Sequence, residues 1–417
     1  MNRIPYRLLH LALLAASFAD AAAPSHAIDF PATGQMTSYT ANKKDGISAA
    51  VAVPDDGALQ AGATLAFADN GDGTITDLNT GLMWEKKGDN GGLHDKDNGY
   101  PWSGNGSQET VWDWLDDVNA EGGTGFAGYN DWRMPNAKEL QTLVDHQIGT
   151  PWVQPAPAPT PAAFRTPCAA GVSVLTGSCT LPNVYWTSTT WARSTGMAWG
   201  VSFFQSDLYP YDKIQFFRVR AVRGGGSGPQ ALPATGQTTA YLANKNDGIS
   251  GAVAVPDDGA VRAGAPMSFH DNGNGTITDD NSGLVWEKKG DDFNALHDKD
   301  NIYWWSGNGS QETVWDWIED VNAQMFGGHI DWRVPNAREL LSIVDFQNTW
   351  AVHAAFNTNC VPGVTVLTGS CTLSSYWTST TKAGDVGSAW AVDYYGTLYP
   401  SAKASTARVR AVRGGTM

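Results

Sequence analysis

Few residues in this chain have the types and spacing for chemistry, and most of them occur twice. His94-Asp95-Lys96-Asp97-Asn98 sets out three hard oxygen donors, Asp95, Asp97 and Asn98, in one polar stretch, and Asp298, Asp300 and Asn301 repeat them. Calcium takes six to eight such oxygens, so these six residues are candidate calcium ligands that other segments would have to complete. The competing reading is Asx turns and helix capping, which use the same side chains. Asp69-Asn70-Gly71-Asp72-Gly73 also looks calcium-like. Aligning Gly73 with the invariant glycine of an EF-hand, however, puts Ala68 at the first ligand position and His270 there in the repeat. A tight turn between strands fits that run better.

Four cysteines, Cys168, Cys179, Cys360 and Cys371, fall in two pairs with the same eleven-residue separation. Four cysteines allow three pairings, and the repetition favours Cys168 with Cys179 and Cys360 with Cys371. Neither pair has the close spacing of a zinc site. A disulfide closing so short a loop stabilises by up to about 3 kcal/mol in the chain-entropy view. Of 18 tryptophans, Trp84, Trp132, Trp186 and Trp199 sit in strand or turn motifs and read as core. Trp102, Trp112, Trp304 and Trp305 lie near or on the polar loop, where exposed rings would stack on sugar faces. Arg218, Arg220 and Arg223 could hold an anion or pair internally with Glu85 and Glu139. No Gly-x-Ser-x-Gly elbow, His-Glu-x-x-His, P-loop or dinucleotide glycine run occurs. The expectation is a protein that is not an enzyme.

The elements that must position these residues are duplicated. Thr235 onward replays Thr33 onward at an offset of 202 residues, far longer than a solenoid repeat, which runs to about 50. The expected organisation is a secretory signal peptide at 1–27, a first copy at 28–225, a Gly/Pro linker at 226–234 and a second copy at 235–417. Each copy is of ordinary domain size, roughly 190 residues, and is expected to fold alone. Arg3 and Arg7, the apolar run from Leu8 to Phe18 and the small residues up to Ala27 make the leader. Its loss leaves 25 basic and 41 acidic side chains, a net charge of −16. That field repels nucleic acid and anionic membranes, and the chain has no stretch of the roughly 20 apolar residues a spanning helix needs. The expected location is exported: periplasmic, outer surface or extracellular.

Within each copy the periodicity changes in order. Thr74–Asp77 and Leu82–Glu85 read as strands across a turn. Val111, Trp114, Leu115 and Val118 then fall at helical spacing. Asn136 with Glu139 forms a capping-box-like start to a second helix. Strand-like runs follow at 185–190, 198–203 and 217–222. The expected fold class is α+β, with two helices and short, mainly antiparallel strands per copy.

Four ordered motifs carry a resemblance. They are Asp69–Asp77 with Thr80–Trp84, Gly128–Asn136 with Glu139-Leu140, Tyr185–Thr190, and Val219–Gly225. The second copy repeats them at Asp271–Asp279, Gly327–Asn336, Tyr376–Thr381 and Val409–Gly415. On these motifs the chain resembles the Lcl C-terminal domain family, in two tandem copies covering nearly all the mature sequence. The resemblance implies C-type-lectin-like domains, a fold also similar to that of formylglycine-generating enzymes. It further implies a bacterial surface adhesion role, with sulfated-glycan binding reported for the family's namesake, a collagen-like adhesin. This chain has no collagen-like region, and its acidity favours neutral glycans or surface polysaccharide as partners. A structural envelope or matrix protein without small ligand is the alternative, and a formylglycine-generating-type enzyme a third reading.

Overall fold

The computed structural model describes residues 30–44, 49–149, 158–225, 232–248, 251–293, 295–348 and 351–415. The expected leader and most of the expected linker lie outside the described residues. Each copy is mixed α+β and mostly sheet. In the first, strands Phe67–Asp69, Thr74–Asp77 and Met83–Glu85 form an antiparallel meander that Val222–Arg223 closes. The acidic run at 69–73 is the turn of that meander. Asp69 Oδ1 accepts from Gly71 N, and Asp72 Oδ1 accepts from the amide and hydroxyl of Thr74.

A second sheet runs through both copies. Val184–Thr190, Met197–Ser202 and Leu208–Asp212 are antiparallel neighbours, as are Tyr376–Thr381, Ser388–Val392 and Leu398–Ala402. Leu208 pairs with Leu398, so the two sets join edge to edge.

The helices are short and firmly started. We number them α1 (Asp56–Leu59), α2 (Val111–Ala120), α3 (Ala137–Gln141), α4 (Asp258–Val261), α5 (Val314–Ala323) and α6 (Ala337–Ser342). Capping boxes open α2 (Thr110 with Asp113) and α3 (Asn136 with Glu139), and the second copy repeats both. Val111, Trp114, Leu115 and Val118 are buried, which is the apolar stripe their spacing requires.

The copies are interlocked by exchange of their N-terminal segments. Ala41 and Val53 lie in the core of the second copy, with Tyr39 packed against it, while Ala243 and Val255 lie in the core of the first. Asp56 on α1 accepts from the hydroxyls of Thr33 (2.6 Å) and of Thr380 in the second copy (2.7 Å). Asp258 on α4 does the same with Thr235 (2.7 Å) and Thr189 of the first copy (2.6 Å). The Gln35 side-chain amide pairs with both backbone groups of Thr381, and Gln237 with both of Thr190. Gly57 permits the fit: a Cβ there would lie 2.0 Å from Thr37 O. At the centre, Lys138 Nζ donates to Ala234 O and Ser342 O, and Arg338 donates to Ala32 O, Thr142 O and Val144 O. Trp199 meets Phe346 edge-on at 5.1 Å, and Trp390 meets His146 at 5.4 Å.

The boundaries expected at 28–225 and 235–417 therefore mark sequence copies, while the packing units cross them. Each unit is completed by a segment of the other copy, because that segment carries the apolar residues and hydroxyl partners that close its core. On this packing we infer that the copies depend on one another to fold, against the expectation that each folds alone. Residues 28–225 and 230–417 made separately should each show non-cooperative melting, and mixing them should restore one cooperative transition. Thermal unfolding of the halves, alone and together, checks this.

Burial pushes the Asp56 and Asp258 carboxyls up to about 7. Glu339 and Asp55 add to the rise at Asp56, against the two threonine hydroxyls. Unfolded, each carboxyl titrates near about 4. The native state thus keeps a proton that the unfolded chain releases between about pH 4 and 7, and stability falls as pH rises through that window. The melting temperature should rise as pH is lowered from 7 to 5. Asp56→Asn with Asp258→Asn should flatten that rise.

Candidate functional site

The polar loop of the first copy spends its donors on itself. Asp95 Oδ2 accepts from Gly91 N at 2.6 Å, and Oδ1 accepts from Asp97 N at 2.8 Å. Asn98 Nδ2 donates to Gly92 O and Leu93 O, so the structure does not bring Asn98 into a carboxylate group. The carboxylates that do converge are Asp89, Asp95 and Asp97, whose oxygens lie within 4.8 Å of one another. Asp89 was not singled out from the sequence. Lys96 Nζ joins this group, 2.9 Å from Asp89 Oδ1 and 2.6 Å from Asp97 Oδ2. The second copy is built alike: Lys299 pairs with Asp291 and Asp300, Asp298 Oδ1 accepts from Asp300 N, and Asn301 donates to Ala295 O and Leu296 O. A lysine ammonium lies among the carboxylates of each loop, and the same loops make the Asx-type contacts of the alternative reading.

Beneath the loop lies a buried charge cluster. Glu85 Oε1 meets Lys87 Nζ at 2.7 Å and His94 Nδ1 at 2.6 Å, and Oε2 accepts from Ala221 N. His94 Nε2 reaches Glu121 at 3.0 Å, and its ring packs on Phe126. Burial alone would raise the Glu85 carboxyl, but Lys87 and the His94 hydrogen bond pull it down to about 2. Burial would lower His94, but Glu85 raises it. Glu287, Lys289 and His297 repeat the core of the cluster. Both carboxylates stabilise the fold above about pH 4.5, and that stability is lost as pH falls below this value. The cluster is structural: Glu85 receives the strand end at Ala221 and ties it to the loop.

The arginines, which could hold an anion or pair internally, are committed internally. Arg220 donates to Glu85 O, Cys179 O and Thr180 Oγ1, Arg223 to Asp131, and Arg218 to Asp97 O. Glu139 has Arg133 as its fork partner, at 2.7 and 2.6 Å, in place of the expected C-terminal arginines. Both disulfides form as the spacing suggests, Cys168 with Cys179 and Cys360 with Cys371.

The tryptophans expected to stack on sugar are mostly core. Trp102, Trp112 and Trp305 are each about 1 % exposed or less, and Trp304 is half-buried. Trp102 donates to Thr187 O and meets Trp112 edge-on at 4.8 Å, and Trp305 donates to Thr378 O. Lys213 Nζ sits 3.5 Å above the Trp102 ring and Lys403 Nζ 3.7 Å above Trp305. Burial lowers these amines to about 7 and about 8. Their place next to the polar loop hid this, because the lysines over Trp102 and Trp305 come from distant parts of the chain.

An open site appears instead in the second copy. A cleft of about 520 Å³ is walled by Leu340, Val344, Val352 and Leu373, with Tyr376 and Val392 beside them. Asn357, Asp393, Tyr394 and Arg410 are its polar lining. In the first copy Phe203, at the position of Tyr394, is buried and stands edge-on to Tyr185 at 5.1 Å. Tyr394 instead lies over Tyr395, ring centroids 3.9 Å apart and hydroxyls 2.6 Å apart. Trp191 of the first copy meets Tyr395 edge-on at 6.4 Å, and the Arg193 guanidinium lies 4.3 Å from the same ring. The result is an aromatic shelf at the junction of the copies. Sequence reasoning missed it because its two sides are about 200 residues apart; the one signal was Phe203-Phe204 drifting to Tyr394-Tyr395.

Replacing Glu287 by Ala would leave Lys289 and His297 buried without their carboxylate, and should cost about 3–5 kcal/mol. Denaturant unfolding of Glu287→Ala at pH 7 measures it.

No curated protein and no solved structure is detectably similar to the chain. The Lcl C-terminal domain matches residues 73–223 and 275–413, both stretches beginning after the exchanged segments. The chain belongs to the Lcl C-terminal domain family and carries that domain twice.

Proposed function

We propose that the protein is an exported, non-catalytic recognition module with lectin-like domains, acting at a bacterial surface and binding carbohydrate on the aromatic shelf at the junction of its copies. The observation that carries this reading is the group of Trp191, Tyr394 and Tyr395 with Arg193, which brings ring surfaces and hydroxyls on half-exposed residues together with an exposed guanidinium. Sugar recognition uses such pairs of apolar ring and polar tip. Export is supported by the leader pattern of residues 1–27 and by the two disulfides. Among the described residues, no helix is long and apolar enough to cross a membrane. The non-catalytic reading is supported by the cysteines being bonded and by His94 and His297 being held by buried glutamates.

The geometry changes what tandem copies do for binding. Trp191 and Arg193 come from the first copy and the tyrosines from the second, while the counterpart positions of the two former are Lys382 and Gly384. Among the described residues one such shelf forms, which supports one site per chain in place of two equivalent sites cooperating through avidity. The arginine strand is internally paired, and the chain carries a net charge of −15. Neutral or weakly charged sugars suit it better than sulfated ones.

Binding to immobilised neutral glycans should saturate at one site per chain, with little change between low and high salt, since stacking is weakly screened. Trp191→Ala should weaken it about tenfold, the loss of one stacking ring. Steep loss with salt would point to sulfated glycans. Absence of binding to any glycan would leave the structural envelope role.

A further inference from the structure

The cleft beneath the shelf is a second feature, and the duplication shows what shape of group it takes. In the first copy a phenyl ring, Phe203, is buried in one apolar cluster with Leu140, Val144 and Val201 and stands edge-on to Tyr185 at 83°. The second copy keeps the surrounding residues: Leu340, Val344, Tyr376 and Val392 line the cleft and stand where Leu140, Val144, Tyr185 and Val201 stand in the first. It does not place its own ring there in the same way, because Tyr394 is turned onto Tyr395 and hydrogen-bonded to it. A volume of about 520 Å³ remains, within the range of small-molecule sites.

The second change is electrostatic. Ser202 of the first copy is replaced by Asp393, a carboxylate on the lining of the cleft. Asp393 Oδ1 accepts from Tyr395 N at 2.8 Å and from Thr397 N at 2.9 Å, which fixes the carboxylate in place. Burial raises its carboxyl above the usual range, so a cation beside it would be favoured. The other charge on the lining, Arg410, already donates to Glu287 O, Cys371 O and Thr372 Oγ1, and its guanidinium lies 5.6 Å from the Tyr376 ring. A ligand's π face can meet that guanidinium, whereas an ammonium must point away from it, toward Asp393. The net charge of −15 also draws cations to the protein.

We propose that the cleft of the second copy binds a small molecule carrying an aromatic ring and a protonated amine, the ring against Tyr376 and the amine at Asp393. The site does not depend on the glycan reading of the shelf. A ring alone would use only the apolar wall of the cleft; the amine uses Asp393, whose position in the first copy is Ser202.

The probe is 2-phenylethylamine, titrated into the full chain by calorimetry at pH 7 beside 2-phenylethanol and butylamine. Phenylethylamine should bind about tenfold more tightly than either, the scale of one charge-assisted contact or one buried ring. Asp393→Ser, which installs the first copy's residue, should reduce phenylethylamine to the affinity of the alcohol and leave the alcohol unchanged. Val392→Phe should abolish binding of both ring compounds, and its melting curve reports whether the fold persists. Equal binding of phenylethylamine and butylamine, no loss in Asp393→Ser, or no binding at millimolar concentration would each overturn the proposal. Trp191→Ala should weaken glycan and leave phenylethylamine untouched, so the two readings fail separately.

Discussion

Two buried carboxylates hold this molecule together. Asp56 and Asp258 each take hydroxyls from both copies at once, Thr33 and Thr380 on one side, Thr235 and Thr189 on the other. A carboxyl in so dry a place is tolerable only when hydrogen-bonded, and each has one donor on its own segment and one on the other copy. Gln35 and Gln237 extend the same logic by standing in for a strand against Thr381 and Thr190. These polar contacts specify one arrangement out of those that apolar burial alone would allow. Tyr39, Ala41 and Val53 supply the burial, and Asp56 supplies the register.

The central pair Lys138 and Arg338 shows how near-symmetry is used. Both cations sit on corresponding helices and donate to carbonyls at or just past the C-terminal end of the other. Burial lowers Lys138 to about 8 and Arg338 to about 10. A guanidinium has more donors and keeps its charge more firmly than an ammonium, so the two halves of the interface are similar in plan and unequal in strength.

Much of each copy was legible in the sequence because its signals are local. The stripe Val111, Trp114, Leu115 and Val118, the capping box at Asn136 and Glu139, and the cysteine spacing act over a few residues, and the structure follows them. The exchange was not legible. Nothing in the sequence around Thr33 or Asp56 says which copy of Thr-Ser-Thr-Thr it will meet, since both copies offer the same residues. The tryptophans at the loop misled for a related reason. Trp102 and Trp305 open onto the polar runs that begin at Ser103 and Ser306, but Lys213 and Lys403, about 100 residues away, come over their rings. Asp89 escaped notice as a partner of Asp95 and Asp97 because the Gly88–Asp95 bridge that brings it close is not a pattern in the chain.

Interlocking also explains how one copy could diverge. The wall of the cleft, Leu340 and Val344, lies on and just beyond α6, the helix whose Arg338 reaches into the first copy. Arg333 forks onto Glu339 of the same helix, and Asn336 caps it while donating to Ala61 O of the exchanged segment. A cavity lined by apolar groups costs stability in proportion to its size, about 24 cal/mol per Å³ where the walls cannot collapse. Such a cost is tolerable on an element held from several directions by contacts that do not involve the cleft. The first copy keeps Phe203 in its core and bears part of that support through Trp199 against Phe346. One copy therefore serves as the buttress, and the open site resides in the other.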